Sequence, residues 1–329
     1  MRVKSIMLAG LVSVMSFPAI SAEPLASSEG DPKDAWRQTL RATPPPEAGC
    51  FEASYPSTAW EQVTCAEPSQ KPLPSKRPQT KVVGGSNDWS LQAPEPIKIA
   101  VGEFPRGEVG LAPDSDPYYS LQLNTNMAYS TLCGDKKDNK DCVAWQLFVY
   151  DSGLGALTGD GALYVQSWLF NYNKPCPAGW NQYGGDCMKS TRPSKVPTIS
   201  VREITNIKMS AFLGIMGEDG VTIEYNGRMY VNSAAPNIPD MASIWNWAEF
   251  NVFGELYSEE IKFTKGSYLD VRLGAQYPSD QTVAPTCVRG GNIGQTNNMT
   301  LSPSCTVVPA ETQSNPYANP YIEFSESVL

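Results

Sequence analysis

Histidine is absent from all 329 residues. That excludes a Ser-His-Asp triad, a Cys-His dyad and an HExxH zinc helix, because each needs a ring that titrates near neutrality or binds metal when neutral. Any catalysis must then use carboxylates, amides, hydroxyls, Lys or Arg. Positive charge is also scarce: 25 Lys and Arg stand against 34 Asp and Glu, a net charge of -9. Nucleic acid and anionic membrane both demand a basic face, so neither is an expected partner. No apolar run approaches the ~20 residues of a membrane span. No CxxC occurs, which argues against zinc, and no internal repeat is visible. Neither a metal nor a cofactor is expected.

The beginning of the chain has the pattern of a secretory signal over residues 1–22. Arg2 and Lys4 precede the apolar stretch Ile6 to Phe17, and small Ser21-Ala22 end it. Export implies an oxidising compartment, and the eight cysteines agree with that. They fall in close successive pairs, Cys50/Cys65, Cys133/Cys142, Cys176/Cys187 and Cys287/Cys305. Neighbour pairing is the expectation, each disulfide stapling a loop rich in Gly, Pro, Asp or Asn, although spacing alone leaves other connectivities open.

Residues 23–80 are rich in proline, with Pro44-Pro45-Pro46 and a run from Pro68 to Pro78 that cannot hold helix or sheet. This stretch reads as a pro-segment with a Cys50–Cys65 loop and an exposed linker, Lys76-Arg77 being a processing point. An ordinary linker left in place fits equally. Residues 81–329 change to short runs of Val, Ile, Tyr, Trp and Phe between Gly, Asn, Asp and Pro. Tyr118–Asn124, Ala144–Tyr150, Ala162–Tyr172, Val221–Tyr225, Met229–Asn232, Trp245–Phe253 and Ser267–Leu273 are the clearest. Such spacing predicts an all-β sandwich or barrel, and about 250 residues suffice for one double-sheet domain. Asn226-Gly227 predicts a tight hairpin turn. The one helix candidate is Ser200–Met216.

Two strands carry polar groups where such groups are unusual. Alternation puts Leu163, Val165, Ser167 and Leu169 on one face, and Tyr164, Gln166, Trp168 and Phe170 on the other. In the later strand, Ala248, Phe250 and Val252 suit a core, while Trp245, Trp247, Glu249, Asn251 and Phe253 point away. One reading is a concave, aromatic-walled cleft holding an amide and a carboxylate. The plainer one is a half-buried face on which Gln166 and Glu249 hydrogen-bond to neighbours.

The succession Trp145–Asp151, Ala162–Trp168 and Ala248–Phe253 resembles the eqolisin family of glutamic peptidases, over about a third of the chain. The resemblance implies a concanavalin-like jelly-roll sandwich, with Gln166 matching the catalytic glutamine and Glu249 the catalytic glutamate. Ser167-Trp168 stand where typical members carry glycine, which sets an indole beside the cleft. More of the chain is similar to a group of secreted bacterial proteins, through Gly49-Cys50-Phe51, Trp168–Trp180 and Trp247–Gly254. The eqolisin likeness implies a secreted, acid-active endopeptidase: Glu249 draws a proton from water, and Gln166 donates to the oxyanion. Tyr164, Trp168, Trp247, Trp145 and Asn251 would bind substrate, and the pro-segment would cover the groove. A protein or peptide is the expected substrate, and a monomer the expected state.

Other chemistries have weaker support. Asp151-Ser152-Gly153 is similar to the active turn of aspartic peptidases, but they need two such turns, and no second one occurs. A retaining glycosidase needs carboxylates roughly 5–5.5 Å apart, and Glu249 and Glu255 are wrongly spaced along a strand. A secreted carbohydrate- or surface-binding sandwich with no catalysis is the alternative, polysaccharide then replacing peptide as partner. Acidic turns at Gly217-Glu218-Asp219-Gly220 and Asp135–Asp141 have oxygen ligands suited to calcium but lack EF-hand spacing.

Overall fold

The computed structural model describes residues 32–67, 88–155, 160–215, 218–235, 239–254, 260–278, 283–290, 297–310 and 320–329. The expected signal (1–22), the proline run 68–78 with Lys76-Arg77, and Met216, Gly217 and Glu255 lie outside these residues.

Two antiparallel sheets of nine strands each form a β-sandwich, one of the two architectures that the strand spacing allows and the one the double-sheet expectation named. The first runs Thr300–Val308, Tyr321–Ser327, Tyr268–Gln276, Ile99–Glu108, Lys208–Ile215, Glu218–Tyr225, Arg228–Ala234, Gly49–Ser54 and Glu61–Gln62. The second runs Thr286–Arg289, Trp89–Gln92, Trp247–Gly254, Tyr119–Thr125, Val143–Gly155, Asp160–Phe170, Asp186–Ser190 and Asn181–Tyr183, with Ser194–Pro197 also pairing to Asp160–Phe170. Between the sheets lies one continuous apolar core that includes Leu123, Phe148, Val165 and Phe250 from the second sheet and Phe104, Val221 and Val271 from the first. The sheets approach closely at Gly102, where an added Cβ would lie 2.3 Å from the Phe250 ring.

Local expectations hold where the chemistry is strict. Asn226 and Gly227 take φ of 52° and 75°, both left-handed, and join Glu218–Tyr225 to Arg228–Ala234 in register. All four neighbouring cysteine pairs are bonded: Cys50–Cys65, Cys133–Cys142, Cys176–Cys187 and Cys287–Cys305. Cys287–Cys305 ties a strand of the second sheet to one of the first.

Two of these disulfides reach deeper than the local loop each was expected to staple. Cys142, at the foot of Val143–Gly155, and Cys187, within Asp186–Ser190, are fully buried and belong with Cys133 to the inter-sheet core. Cys50 is buried as well, whereas its partner Cys65 and the Cys187 partner Cys176 are half-buried. A bonded cysteine behaves as a small apolar side chain, so Cys142 and Cys187 pack inward wherever the strand turns them to the core. Each of these two bonds therefore anchors a polar loop to the interior.

The helix candidate Ser200–Met216 is instead a short 3-10 turn, Val201–Asn206, and a strand, Lys208–Ile215. Its β-branched residues lower helix propensity, and Gly214 takes φ +65°. Met209, Ala211 and Leu213 enter the core at period two, which is the strand's period.

The stretch 23–80 has more regular structure than its composition suggests. Gly49–Ser54 pairs with Arg228–Ala234, so the first sheet begins well before residue 81. Pro32–Ala42 is a helix whose Trp36 and Leu40 bury against Ala53 and Met229. Arg37 anchors it to Glu224 through Nε at 2.5 Å and Nη2 at 2.8 Å. The helix therefore sits on the outer face of the first sheet, away from the strands that carry Gln166 and Glu249.

Candidate functional site

Register brings the two predicted groups onto one line. Glu249 pairs with Asn124, Asn124 with Leu147, and Leu147 with Gln166. Directly paired residues project to the same face, so Glu249, Asn124, Leu147 and Gln166 form a single row across four strands of the second sheet. The face is the one turned away from the inter-sheet core, since Phe250, Leu123, Phe148 and Val165 take the other side. Strands lie roughly 4.8 Å apart, which puts the Gln166 and Glu249 backbones about 14 Å apart.

The Gln166 amide has a defined orientation. Trp168 Nε1 donates to its Oε1 at 2.9 Å, so the NH2 group points the other way. Trp168 is itself stacked on Phe170, with centroids 5.2 Å apart and planes at 11°. Tyr164 and Trp145 share this face, and the Trp145 indole donates to the Thr125 carbonyl at 2.8 Å. At the other end of the row, Asn124 Nδ2 donates to Glu249 Oε2 at 3.4 Å. Gln166 and Glu249 are 1% and 2% exposed, so the row is closed to solvent in this form of the chain.

Beyond Glu249 the face continues into a cluster of acids. Asn251 donates through Nδ2 to Asp88 Oδ2 at 3.2 Å and to Glu326 Oε2 at 3.3 Å. Burial pushes the Glu326 carboxyl up to about 7, against the hydrogen bonds from Asn251 and Asn297. Asp88 is held well above the usual carboxylate range, first by burial and then by the charges of Glu249 and Glu326. Its Oδ1 accepts from the Trp89 amide at 2.9 Å, which favours the charged form but does not overcome the burial.

Of the residues assigned to substrate, Tyr164, Trp168 and Trp145 lie on the Gln166 face, and Trp247 is half-buried at the start of the Glu249 strand. Asn251 gives its amide to the two buried acids. Trp245, expected on the outer face, enters the inter-sheet core beside Phe148 at 5.9 Å, because the strand begins only at Trp247. Asp151-Ser152-Gly153 serves the backbone: Asp151 Oδ1 accepts from the Gly153 amide and Ser152 Oγ from the Tyr119 amide. Asp219 is buried, accepting from Gln146 and from the Gly214 amide. Among the described residues no cluster of acids or cysteines has the geometry of a metal site.

Sequence reasoning missed Asn124, Asp88 and Glu326. Asn124 had a legible signal, since Ser120, Gln122 and Asn124 alternate with Leu121 and Leu123. Asp88 and Glu326 join the cluster only through tertiary packing.

No protein-family profile and no curated protein matches the chain. Solved structures similar to it include scytalido-glutamic peptidase with a peptide-based transition-state analogue, at 12% identity and TM-score 0.31. SCP-B, a member of the eqolisin family of peptidases, in complex with the tripeptide Ala-Ile-His, aligns at 11% identity and TM-score 0.31. Each alignment spans 75% of this chain and 100% of the other.

Proposed function

We propose that this chain is a secreted, acid-active endopeptidase of the glutamic type, with Glu249 as general base and Gln166 as oxyanion donor. The observation that carries the reading is the register that sets both groups in one row on one face. The two backbones stand about 14 Å apart with Asn124 and Leu147 between them in the same row, so a water and a scissile carbonyl would have to lie over those two side chains to bridge Glu249 and Gln166.

Each residue then has one task. Glu249 takes a proton from the water as it attacks the peptide carbon, and later passes it to the leaving amine. The Gln166 NH2, directed away from Trp168, donates to the developing oxyanion, and needs no titration to do so. Asn124 steadies the Glu249 carboxylate. Leu147 gives the row an apolar floor that keeps the electrostatics strong. Acid favours this arrangement because the raised pKa of Glu326 leaves that neighbour neutral below about pH 7. Substrate must open the closed row to reach it.

The test is digestion of a denatured protein from pH 2 to 7 by wild type, Gln166→Ala and Glu249→Ala. Gln166→Ala should lose about 100- to 1000-fold in kcat, and Glu249→Ala should be inactive. Activity untouched by either change refutes the assignment. Polysaccharide binding that survives Glu249→Gln, with no proteolysis by folded wild type, would instead mark a binding protein.

A further inference from the structure

Under the Pro32–Ala42 helix lies a small, partly open cavity on the outer face of the first sheet, of about 20 Å³. Its walls include Leu40, Pro44, Phe212 and Val231, and its polar lining includes Arg41 and Ser210. Arg41 Nε and Nη2 are shut away from solvent, and so is the Ser210 hydroxyl. Among the described residues none of the three has a hydrogen-bond partner.

A guanidinium is always charged, and a buried charge left without a counter-charge costs several kcal/mol. Glu224, Glu103 and Asp34 are the carboxylates whose charges act on Arg41. Each is engaged elsewhere: Glu224 takes the two-pronged contact from Arg37, Glu103 pairs with Lys208 at 2.8 Å and Arg272 at 3.3 Å, and Asp34 pairs with Arg37 Nη1 at 2.6 Å. Two N–H donors and a hydroxyl, all without partners, thus belong to residues that line one cavity with room for a water-sized occupant. A water would need acceptors for its own protons, and Arg41 offers donors only, which leaves the Ser210 and Thr222 hydroxyls among walls that are otherwise largely apolar. A monatomic anion needs only donors.

We propose that this cavity is a halide site, filled by chloride held between Arg41 and Ser210, which fastens the 32–45 segment to the sheet. The site is independent of the Gln166 and Glu249 row. Because only the folded chain forms it, chloride at a hundred times its Kd multiplies the folded-to-unfolded ratio about 100-fold.

Crystals of the full chain soaked in bromide should show an anomalous peak within hydrogen-bond distance of Arg41 Nε and Nη2 and Ser210 Oγ. In solution, replacing chloride by gluconate at equal ionic strength should lower the unfolding midpoint of wild type. Arg41→Met should abolish that dependence, and Ser210→Ala should shift it to higher chloride. A site with no anomalous signal, or a wild-type midpoint indifferent to the exchange, overturns the proposal.

Discussion

Glu326→Gln should flatten the stability–pH curve of this protein on its neutral side. The Glu326 carboxyl is buried beside Asp88 and Glu249, and its pKa rises from 4.5 to about 7 on folding. A raised acid keeps its proton in the native state after the unfolded chain has released it. Stability is therefore full below about pH 4.5 and falls as pH climbs toward 7. The rise from 4.5 to about 7 corresponds to about 3 kcal/mol lost by neutral pH. Glutamine keeps the shape and still accepts from Asn251 Nδ2, but carries no charge at any pH. The variant should match wild type near pH 4 and exceed it by about 3 kcal/mol at pH 7.5, or ~5–10 °C in midpoint. Asp88 should follow in the same direction, since one of the charges that raises it is removed. The assay is urea or thermal unfolding of both proteins, disulfides intact, at half-unit steps from pH 4 to 8. Parallel curves across that range would show that Glu326 does not titrate as its burial implies.

Trp168→Phe keeps the stack on Phe170 but deletes the indole N–H that orients Gln166. It should lower kcat by about 5- to 30-fold with KM unchanged, measured by steady-state cleavage of a peptide. An unchanged kcat would separate Trp168 from the amide's role. Gly102→Ala forces a methyl to 2.3 Å from the Phe250 ring. It should destabilise by about 1–3 kcal/mol in chemical denaturation. Replacing Cys287 and Cys305 by Ser opens a loop with a sequence separation of 18. The expected loss is about 3 kcal/mol, read from the unfolding midpoint.

Much of the sandwich was legible because its signals are local. Period-two alternation marks Asp160–Phe170 and Trp247–Gly254 without help from the rest of the chain, and Asn226-Gly227 meets a steric demand few pairs satisfy. Cysteine neighbours bond because a short loop closes at low entropic cost. Their spacing carries no information on depth, so the burial of Cys142 and Cys187 had to come from the packed sheets. The helix at 32–42 escaped notice because its buried stripe consists of Trp36 and Leu40, too little to register as a periodic face. Lys208–Ile215 was misread because Met209, Ala211 and Leu213 also suit a helix, and pairing on both edges decided for the strand. In the site, the Gln166 and Glu249 faces followed from alternation, but their shared row did not. Register is a property of four strands together, and no single strand encodes it.

Many polar side chains gather on the face opposite the inter-sheet core. Ser120, Gln122, Asn124, Asp151, Gln166 and Glu249 are all buried, and the acids Asp88 and Glu326 lie beside them. Burying such groups is at best neutral when they are fully paired, and well-packed Val or Leu in their places would be as stable or more so. The charges of Glu249 and Glu326 also raise the cost of ionising Asp88. A sandwich selected for rigidity alone would shed them. The Gln166 and Glu249 row on four adjoining strands, with its amide oriented by the Trp168 indole, is the part of this face that the proposed peptidase chemistry would use.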